Sequence, residues 1–266
     1  MQNVASLHSS RCHVRVAAME PLQADSTIFC DFDGPIADVS DRYYSTYMLA
    51  LNATCKAYAD QGTELSITPL TKAQFWHMKQ NRVPDATISA QSGLPAHTFE
   101  RFSSHVEELV NQPALLHQDK LQPGARAALT ALQNRGVRVV IVTLRQASQV
   151  LDFLHAHDLA TTISQIYGAN DAATAYPNRI EHKVAQLRDA IADQHRLGMD
   201  TQTSWMIGDT EADICAGHAL QVPTVAVTCG IRSTAYLRDF QPTRMYRDLY
   251  AATEFLLAHR HTSCGL

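Results

Sequence analysis

TIFCDFDGPIAD, residues 27–38, joins an apolar run to two carboxylates spaced two residues apart. Its first four residues, Thr27 to Cys30, form an apolar run of the kind that makes a buried strand. Asp31-Phe32-Asp33-Gly34 follows directly. Successive strand side chains alternate faces, so an extended chain puts Asp31 and Asp33 on one side and Phe32 on the other. Asp and Gly also suit plain turns, which is the bland reading. Two like charges crowded into a partly buried site are costly, however, unless a cation or a proton joins them. The stretch therefore points to metal or acid–base chemistry at a strand end.

Outward from this stretch the chain repeats one rhythm. Apolar, β-branched runs at 137–143, 204–209 and 223–228, with a weaker one at 163–168, alternate with helical patterns at 124–135, 147–157, 180–197 and 212–220. Near-continuous apolar runs such as VRVVIVT mark strands buried on both faces, hence a parallel sheet. Strand, helix, strand in repetition predicts a Rossmann-like, doubly wound α/β core. One interval breaks the rhythm. Residues 39–118 hold no convincing strand, only helical stretches at 41–60, 71–80, 85–92 and 95–110. That interval is expected to be an inserted helical domain over the carboxyl ends of the strands, where α/β folds bind ligands. The expected division is a flexible tail over 1–24, a core from 25–38 and 119–266, and the helical insert over 39–118.

Composition narrows the function classes. The formal net charge is -4 and no long basic run occurs, which disfavours nucleic acid as a main partner. No apolar stretch approaches the roughly 20 residues that span a bilayer. The six cysteines, at 12, 30, 55, 215, 229 and 264, form no CxxC pair, the pattern of scattered thiols in a reducing cytoplasm. Residues 1–20 carry Arg11, Arg15 and several serines with no acid before Glu20. They faintly resemble a transit peptide, but lack a secretory apolar core and are read as a floppy tail, or as preceding a true start at Met19.

Four pieces gather at strand ends or where a helix reaches them: Asp31-Phe32-Asp33-Gly34, Thr143 closing VVIVT, Lys183 early in the helix at 180–197, and GDTEAD at 208–213. Singly, each has a dull explanation as a cap, a turn or a solvated lysine. Together and in this order they resemble the haloacid dehalogenase superfamily. Its DxDGT motif stands here as DFDGPIADV, its Thr/Ser as Thr143, its lysine as Lys183 and its GDxxxD as GDTEAD. The helical insert is similar to the cap of the phosphoglycolate phosphatase and β-phosphoglucomutase subgroup. VTCGIRS at 227–233 resembles the VxWGxxS of phosphoglycolate phosphatase-like members.

The resemblance implies a cytoplasmic, Mg²⁺-dependent phosphatase of a small phosphate ester. Asp31 is then the nucleophile, and Asp33 the acid that protonates the leaving oxygen and the base that activates water. Mg²⁺ would be held by Asp31, Asp209 and the backbone carbonyl of Asp33. Thr143, Lys183 and the backbone N–H of Leu144 would hold the phosphoryl oxygens, with Asp213 orienting Lys183 or a metal-bound water. Lys79, Asn81, Arg82, Arg145 and Arg232 are candidates for choosing the substrate. An acid at position 33 sets the chain apart from true dehalogenases in the family. Pro35 departs from the usual Thr and removes a backbone N–H and a hydroxyl beside the site. A sugar phosphomutase using the same groups, and a non-catalytic phosphate-binding protein, are the alternatives. Tyr43, Tyr44 and Tyr47 lie at helical spacing, as packing within the insert or with one face toward the cleft.

Overall fold

The structure, a computed structural model, describes residues 22–169 and 179–258. The expectations for residues 1–20, and Cys12 and Cys264, lie outside them. The described chain contains β1 (Ser26–Cys30), β2 (Ala37–Asp38), β3 (Lys120–Leu121), β4 (Arg138–Gln146), β5 (Gln165–Ala169), β6 (Asp200–Gly208), β7 (Thr224–Val227) and β8 (Arg244–Tyr246). Six of these strands form one sheet in the order β5-β4-β1-β6-β7-β8, and every neighbouring pair is parallel. Parallel neighbours require crossovers. Helices α6 (Ala125–Asn134), α7 (Ala147–Ala156), α8 (Ile180–Arg196) and α9 (Glu211–Ala219) follow this rhythm, and α10 (Thr234–Arg238) and α11 (Leu249–Leu257) complete the core.

The two faces of the sheet bury alternate residues, as the period of two demands. Ile28, Cys30, Val139 and Ile141 pack with Leu129 of α6, Phe153 of α7 and Leu256 of α11. Phe29, Val140, Val142 and Met206 pack on the other face with Leu187 and Ala190 of α8 and Ala216 of α9. From β1 the chain moves outward to β4 and β5, then returns to the far side of β1 as β6. The strand order thus reverses beside β1, and the carboxyl ends there are the expected place for a ligand.

Residues between β2 and β3 are helical: α1 (Ser40–Ala59), α2 (Lys72–Gln80), α3 (Asp85–Gln91), α4 (Phe99–Leu109) and the short α5 (Pro113–Leu116). They close round their own apolar cluster, in which Tyr47, Leu51, Phe75, Ile88, Phe102 and Val106 are buried. Tyr47 stacks on Phe75 with ring centroids 4.7 Å apart. The chain leaves and re-enters the core through an antiparallel ribbon, Ala37 opposite Leu121 and Asp38 opposite Lys120.

Three features differ from the sequence reading. Strand β1 ends at Cys30, so strand alternation does not set the directions of Asp31 and Asp33. A tight turn does: the N–H groups of Ile36 and Ala37 both donate to the Phe32 carbonyl, at 3.1 and 3.0 Å, and Gly34 takes φ +103°. Pro35 sits inside this turn, which closes through the N–H groups of its neighbours Gly34, Ile36 and Ala37. Strand β4 runs three residues beyond Thr143, to Gln146. The packed chain also begins before Asp25, because Leu22 is buried and its N–H donates to the Leu256 carbonyl at 3.0 Å.

Candidate active site

Cys30 is level with Ile141 on one side and with Ile207 on the other. The residues just beyond these positions therefore converge from three adjacent strands. Asp31 follows β1, Thr143 to Arg145 lie in the last stretch of β4, and Asp209 follows β6. Asp213 lies in the first turn of α9, and α8 delivers Lys183. Asp31, Thr143 to Arg145 and Lys183 border a cleft, open to solvent, between the sheet ends and the helical insert, and Asp209 and Asp213 are buried beside them. Asp31, Asp33, Thr143, Leu144, Arg145 and Lys183 line the sheet side; Tyr43, Lys79, Arg82 and Val110 line the insert side.

At the floor, one ammonium is shared by two carboxylates. Lys183 Nζ lies 2.9 Å from Asp31 Oδ1 and 2.9 Å from Asp213 Oδ1, and it donates to the Val142 carbonyl at 3.0 Å. The backbone N–H of Phe32 also donates to Asp31 Oδ1, at 2.8 Å. Both bonds fall on Oδ1, so Oδ2 is the oxygen left available. Burial pushes the Asp31 carboxyl up to about 7; Lys183 pulls it back and Asp213 adds to the rise. Asp209 is fully buried. Its carboxyl is raised well above the usual range, first by burial and then by Asp31 and Asp213. Burial alone would lower the Lys183 ammonium, but Asp213 and Asp31 outweigh it and hold the amine charged.

This floor fits a hard divalent cation. Asp31, Asp209 and Asp213 can each bring a carboxylate oxygen within 4.8 Å of the others. Asp209 Oδ1 is buried without a hydrogen-bond partner, a costly state unless another group satisfies it. Its Oδ2 accepts from the Ile231 N–H at 2.6 Å. Fully ionised, three carboxylates against one ammonium leave two negative charges, the amount one divalent ion neutralises when it displaces their protons. Gly34 is part of the fit, because a Cβ there would fall inside the Asp209 carboxylate.

Asp33 is held differently. Its Oδ2 lies 2.9 Å from Arg42 Nη2 and its Oδ1 lies 2.9 Å from Arg145 Nη1. The same two arginines bind Asp119, Arg42 Nε at 2.8 Å and Arg145 Nη1 at 2.7 Å. Against the upward push of burial, Arg145 and Arg42 keep the Asp33 carboxyl below its usual range.

The comparisons with known proteins agree with this geometry. Residues 28–227 match the family described as haloacid dehalogenase-like hydrolase. The chain belongs to that family. "Probable phosphatase IndB" of Dickeya dadantii is 24% identical over 226 residues, covering 84% of this chain and 88% of that protein. A phosphoglycolate phosphatase of Rhodospirillum rubrum is 32% identical over 41% of this chain. The match spans only 42% of that enzyme, and 56% of a pyrophosphatase from Oceanobacillus iheyensis. A putative phosphatase from Clostridium difficile superposes with TM-score 0.65 at 16% identity, covering 89% of this chain and 100% of that one. Its likeness concerns the fold.

The candidates from sequence meet different fates. Asp31, Asp33, Thr143, Leu144, Lys183, Lys79, Arg82, Arg145 and Arg232 all border the cleft. Asn81 does not: its side-chain oxygen accepts from Ser233 Oγ at 2.9 Å on the exposed rim, because Arg82 beside it takes φ +57° and turns the chain. Arg145 gives its Nη1 to Asp33 and Asp119, while its Nε is buried without a hydrogen-bond partner. Lys79 is buried and pairs with Asp85 at 2.9 Å. Arg232 and Arg82 both reach Glu211, at 2.8 and 3.1 Å. The tyrosines divide between the two expectations: Tyr47 packs inside the insert, while Tyr43 faces the cleft.

Sequence reasoning missed Arg42, Asp119 and Glu211. A signal for Arg42 existed. Arg42, Thr46, Ala50 and Thr54 follow one another at steps of four along α1 and are all buried, so a charge heads a buried row. No comparable pattern marks Asp119, which lies between short elements.

Proposed function

We propose that this hydrolase is a Mg²⁺-dependent phosphatase that cleaves a small phosphate monoester through an aspartyl-phosphate on Asp31. The observation that carries the reading is the floor of the cleft: Asp31 with one oxygen tied to Lys183 and the other available, beside the buried and incompletely partnered Asp209. A phosphate monoester is a dianion that repels nucleophiles, so its attack needs positive charge around it. Asp31, Asp209 and the backbone carbonyl of Asp33 would hold Mg²⁺, which when bound offsets the repulsion between carboxylate and phosphate. Asp31 Oδ2 attacks phosphorus while the alcohol oxygen departs, and Asp33, held ionised at rest by Arg145 and Arg42, takes up a proton from solvent and gives it to that oxygen. Asp33 then takes a proton from the water that attacks the aspartyl-phosphate, releasing phosphate and restoring Asp31. Lys183, Thr143 and the Leu144 N–H hold the phosphoryl oxygens, and Asp213 keeps Lys183 aimed.

The charges that border the cleft support a leaving group that carries a negative charge. Lys79 is balanced by Asp85, and Arg42 and Arg145 by Asp33 and Asp119. Arg82 and Arg232 share the single Glu211, which leaves one positive charge there. A phosphorylated hydroxy acid such as phosphoglycolate matches that surplus better than a neutral sugar phosphate.

Phosphate release from a panel of both ester types, with Mg²⁺ and with chelator, tests the reading. Mg²⁺-dependent release that favours the carboxylated ester, and that loses this preference in Arg82→Ala, is the expected result. Release unaffected by chelator, or an isomerised sugar phosphate in place of free phosphate, refutes it.

A further inference from the structure

We propose that Arg42 is a positioning residue for the Asp33 carboxylate, and that through Arg42 the docking of the helical insert decides where that carboxylate points. The proposal rests on the reading of Asp33 as proton donor and acceptor.

Arg42 lies in the first turn of α1, is 1% exposed, and spends its guanidinium on three chain segments. It bonds Asp33 in the turn after β1 and Asp119 on the return path before β3. It also donates to the Val110 carbonyl at 3.0 Å and to Asn111 Oδ1 at 3.1 Å, both just beyond α4. With Arg145, whose Nη1 alone bridges both carboxylates, the forked guanidinium of Arg42 closes a ring in which two arginines alternate with two carboxylates. All four carboxylate oxygens of Asp33 and Asp119 are engaged. A fork of fixed geometry sets direction as well as supplying charge.

The ring stands where the chain crosses between core and insert. Arg42 comes just after the outgoing strand β2, and Asp119 just before the returning strand β3. Any shift of the insert against the sheet therefore moves Arg42 relative to Asp33. Stability alone does not account for the arrangement, because buried ion pairs are often no better than apolar packing of the same volume. Arg42, Arg145 and Asp119 are almost wholly dry, whereas the Asp33 side chain is 25% exposed and borders the cleft. The ring thus presents one of its corners to the place where a leaving oxygen would sit. Without Arg42, Asp33 keeps only Arg145 and is free to turn about its side-chain bonds.

Esters that differ in how much help their alcohol needs separate positioning from folding. A nitrophenolate departs with little assistance, whereas an alkoxide needs a proton. kcat/KM counts steps only up to expulsion of the alcohol, so it isolates the transfer from Asp33. The test compares Arg42→Met, Asp33→Asn and wild type, with Mg²⁺, on glycerol phosphate and nitrophenyl phosphate. Arg42→Met is expected to lower kcat/KM about a hundredfold for the alkyl ester and less than about tenfold for the aryl ester, following Asp33→Asn. Equal losses on both esters, or no loss on either, overturn the proposal. Should Arg42→Met not fold, the double variant Arg42→Met/Asp119→Leu removes the partner charge as well and carries the same comparison. If Asp33→Asn itself treats both esters alike, the acid–base reading fails. If Asp33→Asn discriminates and the Arg42 variant does not, only the role of Arg42 fails.

Discussion

Replacing Asp31 by Asn should destroy turnover and stabilise the metal-free fold in the same stroke. The Asp31 carboxyl rises from 3.8 to about 7 because burial, together with Asp213, penalises its charge more than Lys183 rewards it. The folded chain therefore holds this proton more tightly than the unfolded chain. Its contribution to stability is complete below about pH 4, falls away as pH rises, and is lost above about pH 7. Asn has the shape of the protonated acid and never ionises. At about 1.4 kcal/mol per tenfold, the variant should gain on the order of 4 kcal/mol over wild type at pH 8, and almost nothing near pH 3.5. Urea unfolding of both proteins in chelator, at intervals between pH 4 and pH 8, reads this directly, with phosphate release measured alongside. The wild-type midpoint should fall with pH while the variant's stays higher, and only the wild type should turn over. Parallel curves would show that Asp31 is not under electrostatic strain in the apo protein. Retained turnover would remove it as nucleophile.

Three further outcomes follow from the same site. Mg²⁺ should raise the melting temperature of wild type, by the equivalent of about 2.7 kcal/mol at a hundred times its Kd; Asp209→Asn should abolish that rise, which differential scanning calorimetry with and without the ion would record. Gly34→Ala puts a Cβ into the Asp209 carboxylate and demands φ +103° of a residue that avoids it, so a loss of roughly 1–3 kcal/mol and weaker Mg²⁺ binding are expected in urea unfolding and ion titration. Lys183→Met leaves Asp31 and Asp213 without their shared ammonium; a loss on the order of 3–5 kcal/mol at pH 8 is expected, and an unchanged urea midpoint would contradict the shared pairing.

Much of this was legible in the chain. Thr27 to Cys30 and VRVVIVT announced strands buried on both faces, because only such strands are apolar without alternation. DFDG, Thr143, Lys183 and GDTEAD announced the cleft floor, because strand ends of one parallel sheet bring residues far apart in sequence to one edge. The helical insert showed itself as a long interval without strand patterning. The turn from Phe32 to Ala37 did not, since extended and turned chains share the same residues there; only the hydrogen bonds to the Phe32 carbonyl end β1 at Cys30.

Partners, in contrast, were decided by tertiary structure. Arg42 meets Asp119 across 77 positions and Arg145 meets Asp33 across 112. A sequence shows that an arginine is present and which face of a helix it lies on. It does not show which carboxylate will neutralise it, because a charge pairs with whatever opposite charge the packing brings within reach. That is why Lys79, Arg82, Arg145 and Arg232 all read alike as arms toward a substrate, yet only Arg82 and Arg232 turn out to share one carboxylate, Glu211. The order of elements and the reactive residues belong to the sequence. The electrostatic balance of the cleft belongs to the packing of the insert against the sheet.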